Sequence, residues 1–178
     1  PYTVGWTYVR QLLPVWAQVG TADDITARLK DPAQRAKVIA DLQKKPGKGF
    51  YGRWTISSAN LAYDGKTLQQ LADQEHVSVE EAMVDYLAKN HAEGFQIGPA
   101  DPSYDQKEAE TFRYPWIDVG SDGISLPAGV HTAFGKPHPR SFGSLARLLA
   151  EVVRHWHVLP LEQAIRQLSS QAADRMGL

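Results

Sequence analysis

Residues 117–124 read Ile-Asp-Val-Gly-Ser-Asp-Gly-Ile, and after a short loop the chain continues as Gly135-Lys-Pro-His-Pro-Arg-Ser141. Apolar residues leading up to Gly120-Ser121-Asp122-Gly123 predict a short buried strand over residues 117–121. It would carry a carboxylate to its C-terminal end, where glycine lets the backbone bend. Sheets and barrels of the α/β class place their chemistry at that edge, because loops vary there without disturbing the core. Asp122 is therefore the first candidate for chemistry. Asp before Gly more often caps a turn, and spacing alone favours that plainer role.

The helices around this stretch announce themselves by their starts. Thr21-Ala-Asp-Asp24 is an N-cap followed by first-turn acids, which predicts a helix ending near Lys30. Asp31-Pro32-Ala33-Gln34 opens the next, with Asp as cap and Pro in the first helical position, and Lys44-Lys45-Pro46-Gly47 ends it. Thr67-Leu-Gln-Gln70 opens a short one. Ser78-Val-Glu-Glu81 is a capping box, and Val79, Ala82, Met83, Tyr86 and Leu87 follow at helical spacing, the clearest amphipathic pattern in the chain. Ser141 is expected to cap a long helix with Leu145, Leu148, Leu149, Val152, Val153 and Trp156 on one face. Pro160 opens the next, and Gly177 suits a C-terminal cap. Residues 50–58 and Phe95-Gln-Ile97 read as strands, with Asp64-Gly65 as a turn. Strands alternating with helices imply an α/β fold. About three or four strands are too few for a complete eight-stranded barrel, which takes ~250 residues.

Composition excludes several classes of function. A formal charge of −1 gives no general attraction to nucleic acid or anionic membranes. No apolar run approaches the ~18 residues needed to span a membrane, and no signal peptide is visible. Neither nucleic acid nor membrane is therefore expected as a partner. The lack of cysteine rules out disulfides and thiolate chemistry and fits a reducing compartment, so a cytoplasmic location is expected. Pro1 in place of Met reads as processing or excision from a longer chain. Among the histidines, His155-Trp-His157 has metal-ligand spacing but falls on or just after a helix, where residues two apart point in different directions. Both are expected to face water at the helix end. His76 and His91, near helix ends, are expected in surface roles, and His131 in bracing its loop.

Gly120-Ser-Asp-Gly123, a loop, and then His138-Pro-Arg-Ser-Phe-Gly143 leading into a helix resemble the last barrel strand of the N-acyl-D-amino-acid deacylases. These form a family of the metal-dependent amidohydrolase superfamily. Pro1-Tyr2-Thr3 resembles the family's Tyr-Pro-Tyr-Thr strand end. Leu161-Glu-Gln-Ala-Ile-Arg-Gln-Leu-Ser-Ser170 through Arg175-Met-Gly-Leu178 resembles its closing helices. The chain departs from the pattern at Gly98-Pro-Ala-Asp-Pro-Ser103, where the family has a Ser-Glu-Glu-Asp-like helix start, and at Pro160, where it has Ser.

The resemblance implies the C-terminal portion of a (β/α)8 amidohydrolase barrel with an inserted lid-like segment. Residues 1–62 would hold a strand end and the lid, and residues 63–178 the C-terminal βα units. It implies a zinc-dependent hydrolase of N-acyl-D-amino acids, with Asp122 as proton shuttle and metal-side carboxylate. Most zinc ligands would lie outside this chain, which alone would be inactive. Tyr2, His138, Arg140 and Ser141 would stand on the substrate side, Arg140 because its fork suits a carboxylate. Two other readings stay open. One is a non-catalytic partial-barrel module that self-associates or pairs with the missing N-terminal part, because unpaired strand edges favour association. The other is an amidohydrolase acting on cyclic amides.

Overall fold

Four helices begin on side-chain caps readable residue by residue. The computed structural model describes residues 5–44, 50–98, 102–127, 129–132 and 134–178. In α1 (Ala22–Lys30) the Thr21 hydroxyl accepts from the Asp24 N–H, and the Asp24 carboxylate accepts from the Thr21 N–H. In α2 (Pro32–Gln43) the Asp31 carboxylate accepts from the Gln34 N–H at 2.8 Å, with Pro32 in the first turn. The expected helix stop at residues 45–47 lies outside the described residues. Reciprocal boxes also start α3 (Leu68–Glu75), from Thr67 and Gln70, and α4 (Val79–Lys89), from Ser78 and Glu81. Each cap satisfies N–H groups that the first turn leaves without carbonyl partners, worth about 1 kcal/mol apiece.

These helices pack on a three-stranded sheet of β1 (Trp6–Tyr8), β2 (Thr55–Ser57) and β3 (Phe95–Ile97), in the order β1-β3-β2. Both pairings are antiparallel, with Gln96 opposite Thr7 and Ile56. The two-residue period puts Ile56 and Gln96, each 1% exposed, on one face and Trp6, Tyr8 and Phe95 on the other. Phe95 stacks on Trp6 and Tyr8, with ring centroids 4.4 and 4.3 Å away. The core under the helices is built from residues such as Leu29, Val38, Leu42, Met83 and Leu87. The helix opened by Ser78 contributes most of its apolar positions to it, as its spacing predicts.

By its contacts the chain divides into two compact units. One is Gly5–Pro99 with His131–Pro137; the other contains Ala100–Val130 and His138–Leu178. Residues on both sides of residue 62 thus lie in the same unit. The fold is mixed helix and strand, as expected. The strands among the described residues, however, are three residues long and antiparallel, where barrel strands would be parallel.

The second unit contains α5 (Pro102–Ala109), α6 (Arg140–Arg147), α7 (Leu161–Leu168) and α8 (Ser170–Met176). Its core gathers Leu148, Val152, Val158, Leu159 and Ala164. Two expectations are corrected here. Residues 117–121 are not a strand but an irregular stretch. Side chains of the last helices occupy its backbone instead of a neighbouring strand: Gln171 Nε2 donates to the Ile117 carbonyl at 2.8 Å. Leu145, expected on the buried face, is 52% exposed. The reason is a change of helix type: α6 passes into a π-helix over Leu148–His155, whose wider turn re-aims the buried stripe. Ser144, Leu148 and Val152 form that stripe, four residues apart. Gly177 closes α8 at φ 72°, the left-handed conformation expected of it.

In the first unit the segment His131–Pro137 is held by Asp64. This carboxylate, 3% exposed, accepts from the Ser58 N–H at 3.0 Å, the Lys136 N–H at 3.1 Å and the His131 ring at 2.9 Å. Ser57 Oγ, able to donate to one carbonyl at a time, lies 2.7 Å from those of both Phe134 and Lys136. Gly135, at φ 90°, fits because a Cβ there would lie 2.1 Å from the Ser58 nitrogen. Burial pushes the Asp64 carboxyl up, but the Ser58 and Lys136 N–H groups and His131 outweigh it and hold it below the ordinary 3.8. Asp64→Ala, which strands three donors, should cost about 2–4 kcal/mol of unfolding free energy, read as a lower urea midpoint. A depressed folded-state pKa means the carboxylate's contribution is complete above the ordinary value and drains as pH falls through the lower one. The stability gap between wild type and Asp64→Asn should therefore narrow on acidification below about pH 4. A gap that does not change with pH there would refute the assignment.

Candidate active site

The two motifs of the second unit meet at the start of α6. Pro139 precedes the helix, which begins at Arg140, one residue before the expected cap Ser141. The capping work is done by His138, whose Nδ1 accepts from the Arg140 N–H at 3.0 Å and whose carbonyl accepts from the Ser141 N–H at 3.0 Å. Ser141, relieved of that task, uses its hydroxyl to accept from the Ile124 N–H at 3.3 Å, which ties the Gly-Ser-Asp-Gly turn to the helix. The Ser121 hydroxyl accepts from the Gly123 N–H at 3.1 Å and shapes the turn from within.

Asp122 sits at the tip of this turn with φ 49°, a left-handed conformation that costs a non-glycine residue energy. Its side chain is 85% exposed, and Oδ2 lies 2.9 Å from Nη2 of Arg140, whose side chain is part-buried. A fork-shaped cation therefore holds a carboxylate that otherwise projects into solvent. The other acid of the motif, Asp118, is structural. Its carboxylate accepts from Gln171 at 2.7 Å and pairs with Arg175 at 2.9 Å.

Four of the five residues singled out from the sequence, Asp122, His138, Arg140 and Ser141, thus converge on one helix start. Tyr2 lies outside the described residues. His138, expected on the substrate side, is only 2% exposed. His155 and His157 are exposed at the helix end, as expected. His131 braces its loop as expected, but through the side chain of Asp64, 67 residues away. Nothing local in the sequence marks that pair, since Asp64-Gly65 reads as a turn in its own right.

Among the described residues no group of three or more His, Cys, Asp or Glu side chains is placed to hold a metal ion. Asp122 is engaged by Arg140, and Nδ1 of His138 already accepts a hydrogen bond. These residues do not make a zinc site by themselves. Among the described residues, too, no helix is long and apolar enough to cross a membrane.

Gly123 is what lets the turn lie on the helix. A Cβ there would fall 2.9 Å from the Arg140 carbonyl oxygen and 3.0 Å from Cα of Ser141, both backbone atoms. Gly123→Ala should therefore lift the turn and cost about 1–3 kcal/mol of stability. Gly120→Ala, with nothing within 4 Å, is the matched control and should stay near wild type. Equal urea midpoints for the two variants would count against the packing described here.

Comparison with known proteins adds to this geometry. No family model matches the chain. It is 34% identical over 102 residues to an N-acyl-D-aspartate deacylase of Alcaligenes xylosoxydans xylosoxydans, covering 55% of this chain and 19% of that protein. It is 39% identical over 67 residues to the N-acyl-D-glutamate deacylase of the same organism, covering 38% of this chain and 12% of that protein. Among solved structures it resembles the N-acyl-D-glutamate deacylase of Bordetella bronchiseptica, determined with zinc and a phosphonate inhibitor that mimics the tetrahedral intermediate. The TM-score is 0.52 at 27% identity, over 72% of this chain and 24% of that one. The chain thus spans about a quarter or less of the proteins it matches. Over part of its length it is similar to the N-acyl-D-amino-acid deacylases, the family that its two motifs resemble.

Proposed function

We propose that this chain is the C-terminal part of a zinc-dependent amidohydrolase that hydrolyses the amide of N-acyl-D-amino acids. The single observation that carries the reading is the convergence of Asp122 and Arg140 on one helix start, with their side chains 2.9 Å apart. In this reading Asp122 takes a proton from the attacking water and returns it to the leaving nitrogen, one group serving as base and then as acid. Arg140, which meets Asp122 through Nη2, would also present its fork to a substrate carboxylate, with Ser141 beside it in the chain and Tyr2 proposed as a further substrate contact. Zinc comes to the proposal from the solved relative. Its ligands would lie mostly outside this chain, with Asp122 as the one carboxylate contributed from here. Residues 117–121, which pair with no strand among the described residues, would become the last strand of a (β/α)8 barrel once its neighbours are present, followed by the helices of the second unit. The first, drawn at its compact boundary rather than at residue 62, would be the inserted lid.

A second reading, a non-catalytic module that self-associates, draws on the exposed apolar side chains of Phe142 and Leu145 on α6 and of Leu161 and Ile165 on α7. Light scattering separates the two: a monomer at high concentration removes the ground for association.

In the longer protein, Asp122→Asn keeps the shape of the side chain and removes the proton shuttle, so turnover should fall by roughly 10²–10⁴-fold. The 178-residue chain alone should bind no stoichiometric zinc and release no amino acid from N-acyl-D-aspartate or N-acyl-D-glutamate. Tightly bound zinc in this chain, with amidase activity that Asp122→Asn abolishes, would overturn the division of the site.

A further inference from the structure

We propose that His138 is a positioning residue: its buried Nδ1, by accepting the Arg140 N–H, sets the first turn of α6 and so aims the guanidinium that Asp122 meets. The role in catalysis rests on the deacylase reading; the positioning itself does not. His138 is 2% exposed, so its ring is shielded from solvent. Its Nδ1 stands 3.0 Å from the Arg140 nitrogen, and its carbonyl takes the next N–H, that of Ser141. Pro139, between them, has no N–H to offer and a constrained φ, here −53°, which pre-sets the entry into the helix.

An N–H acceptor two residues before its donor is the geometry by which Asn and Asp side chains start turns. Nδ1 of histidine is attached to Cγ, as Oδ1 of asparagine is, so the two acceptors occupy nearly the same place. Accepting at Nδ1 requires the neutral ring with its proton on Nε2. A histidine here also fills buried volume that an asparagine leaves empty, so shape and acceptor can be separated by substitution.

The test pairs His138→Phe, which keeps a ring without an acceptor, with His138→Asn, which keeps an acceptor without a ring. In the full 178-residue chain, amide hydrogen exchange at Arg140 should speed up by roughly fivefold or more in His138→Phe and stay near wild type in His138→Asn. Nitrogen NMR of the wild-type ring should give the Nε2–H tautomer at neutral pH. This measurement stands even if a variant fails to fold. In the longer enzyme, His138→Phe should change the same kinetic parameter as Arg140→Gln, more weakly, and His138→Asn should restore it. Loss of folding alone would lower apparent kcat and leave KM untouched. Equal Arg140 exchange in the two variants, or an Nδ1–H ring in the wild type, would overturn the positioning role. Exchange and tautomer as expected in a longer protein without deacylase activity would leave the positioning standing and remove the proposed reaction.

Discussion

A buried carboxylate is the constraint on which the first unit turns. Removing an ionised group from water costs several kcal/mol unless donors replace the lost hydration. Asp64 has three such donors, and two of them, Lys136 N–H and the His131 ring, belong to one short segment. Satisfying the charge and fixing that segment are therefore the same event. Gly135 completes the fit by letting the loop lie against Ser58 where any side chain would collide with backbone. Ser57, the last residue of β2, donates its hydroxyl to the loop, to the carbonyl of Phe134 or of Lys136 at any one time.

The second unit uses hydrogen bonds from side chains to backbone for a similar end. Among the described residues, 117–121 have no ladder to a neighbouring strand, and other partners meet their polar groups. Gln171 from α8 reaches the Ile117 carbonyl and the Asp118 carboxylate, while Gln167 from α7 reaches the Phe112 carbonyl. Gln171 thus holds the stretch that leads to Asp122, and Gln167 holds the chain just before it. At its far end the hold passes to Ser141 and to the absence of a side chain on Gly123. The result is a carboxylate kept in a left-handed turn and exposed, with its cation supplied by the next motif.

Sequence alone determined the elements whose information is local. The capping pairs Thr21 with Asp24, Thr67 with Gln70 and Ser78 with Glu81 each lie three residues apart, so donor and acceptor are set by the helix they start. Family resemblance drew attention to Asp122, His138, Arg140 and Ser141, because the motifs carrying them are contiguous in the chain. Tertiary structure decided what depends on distant partners. It made residues 117–121 an irregular stretch, since a strand exists only where a neighbour offers its edge. It moved the cap of α6 from Ser141 to Pro139, with the His138 ring meeting the N–H of Arg140, the first helical residue. It turned Leu145 outward through a π-helical change of pitch, and joined Asp64 to His131 across 67 residues. Periodicity and caps report the preferences of a few adjacent residues, whereas a buried charge finds its donors wherever folding brings them, and no local pattern encodes that meeting.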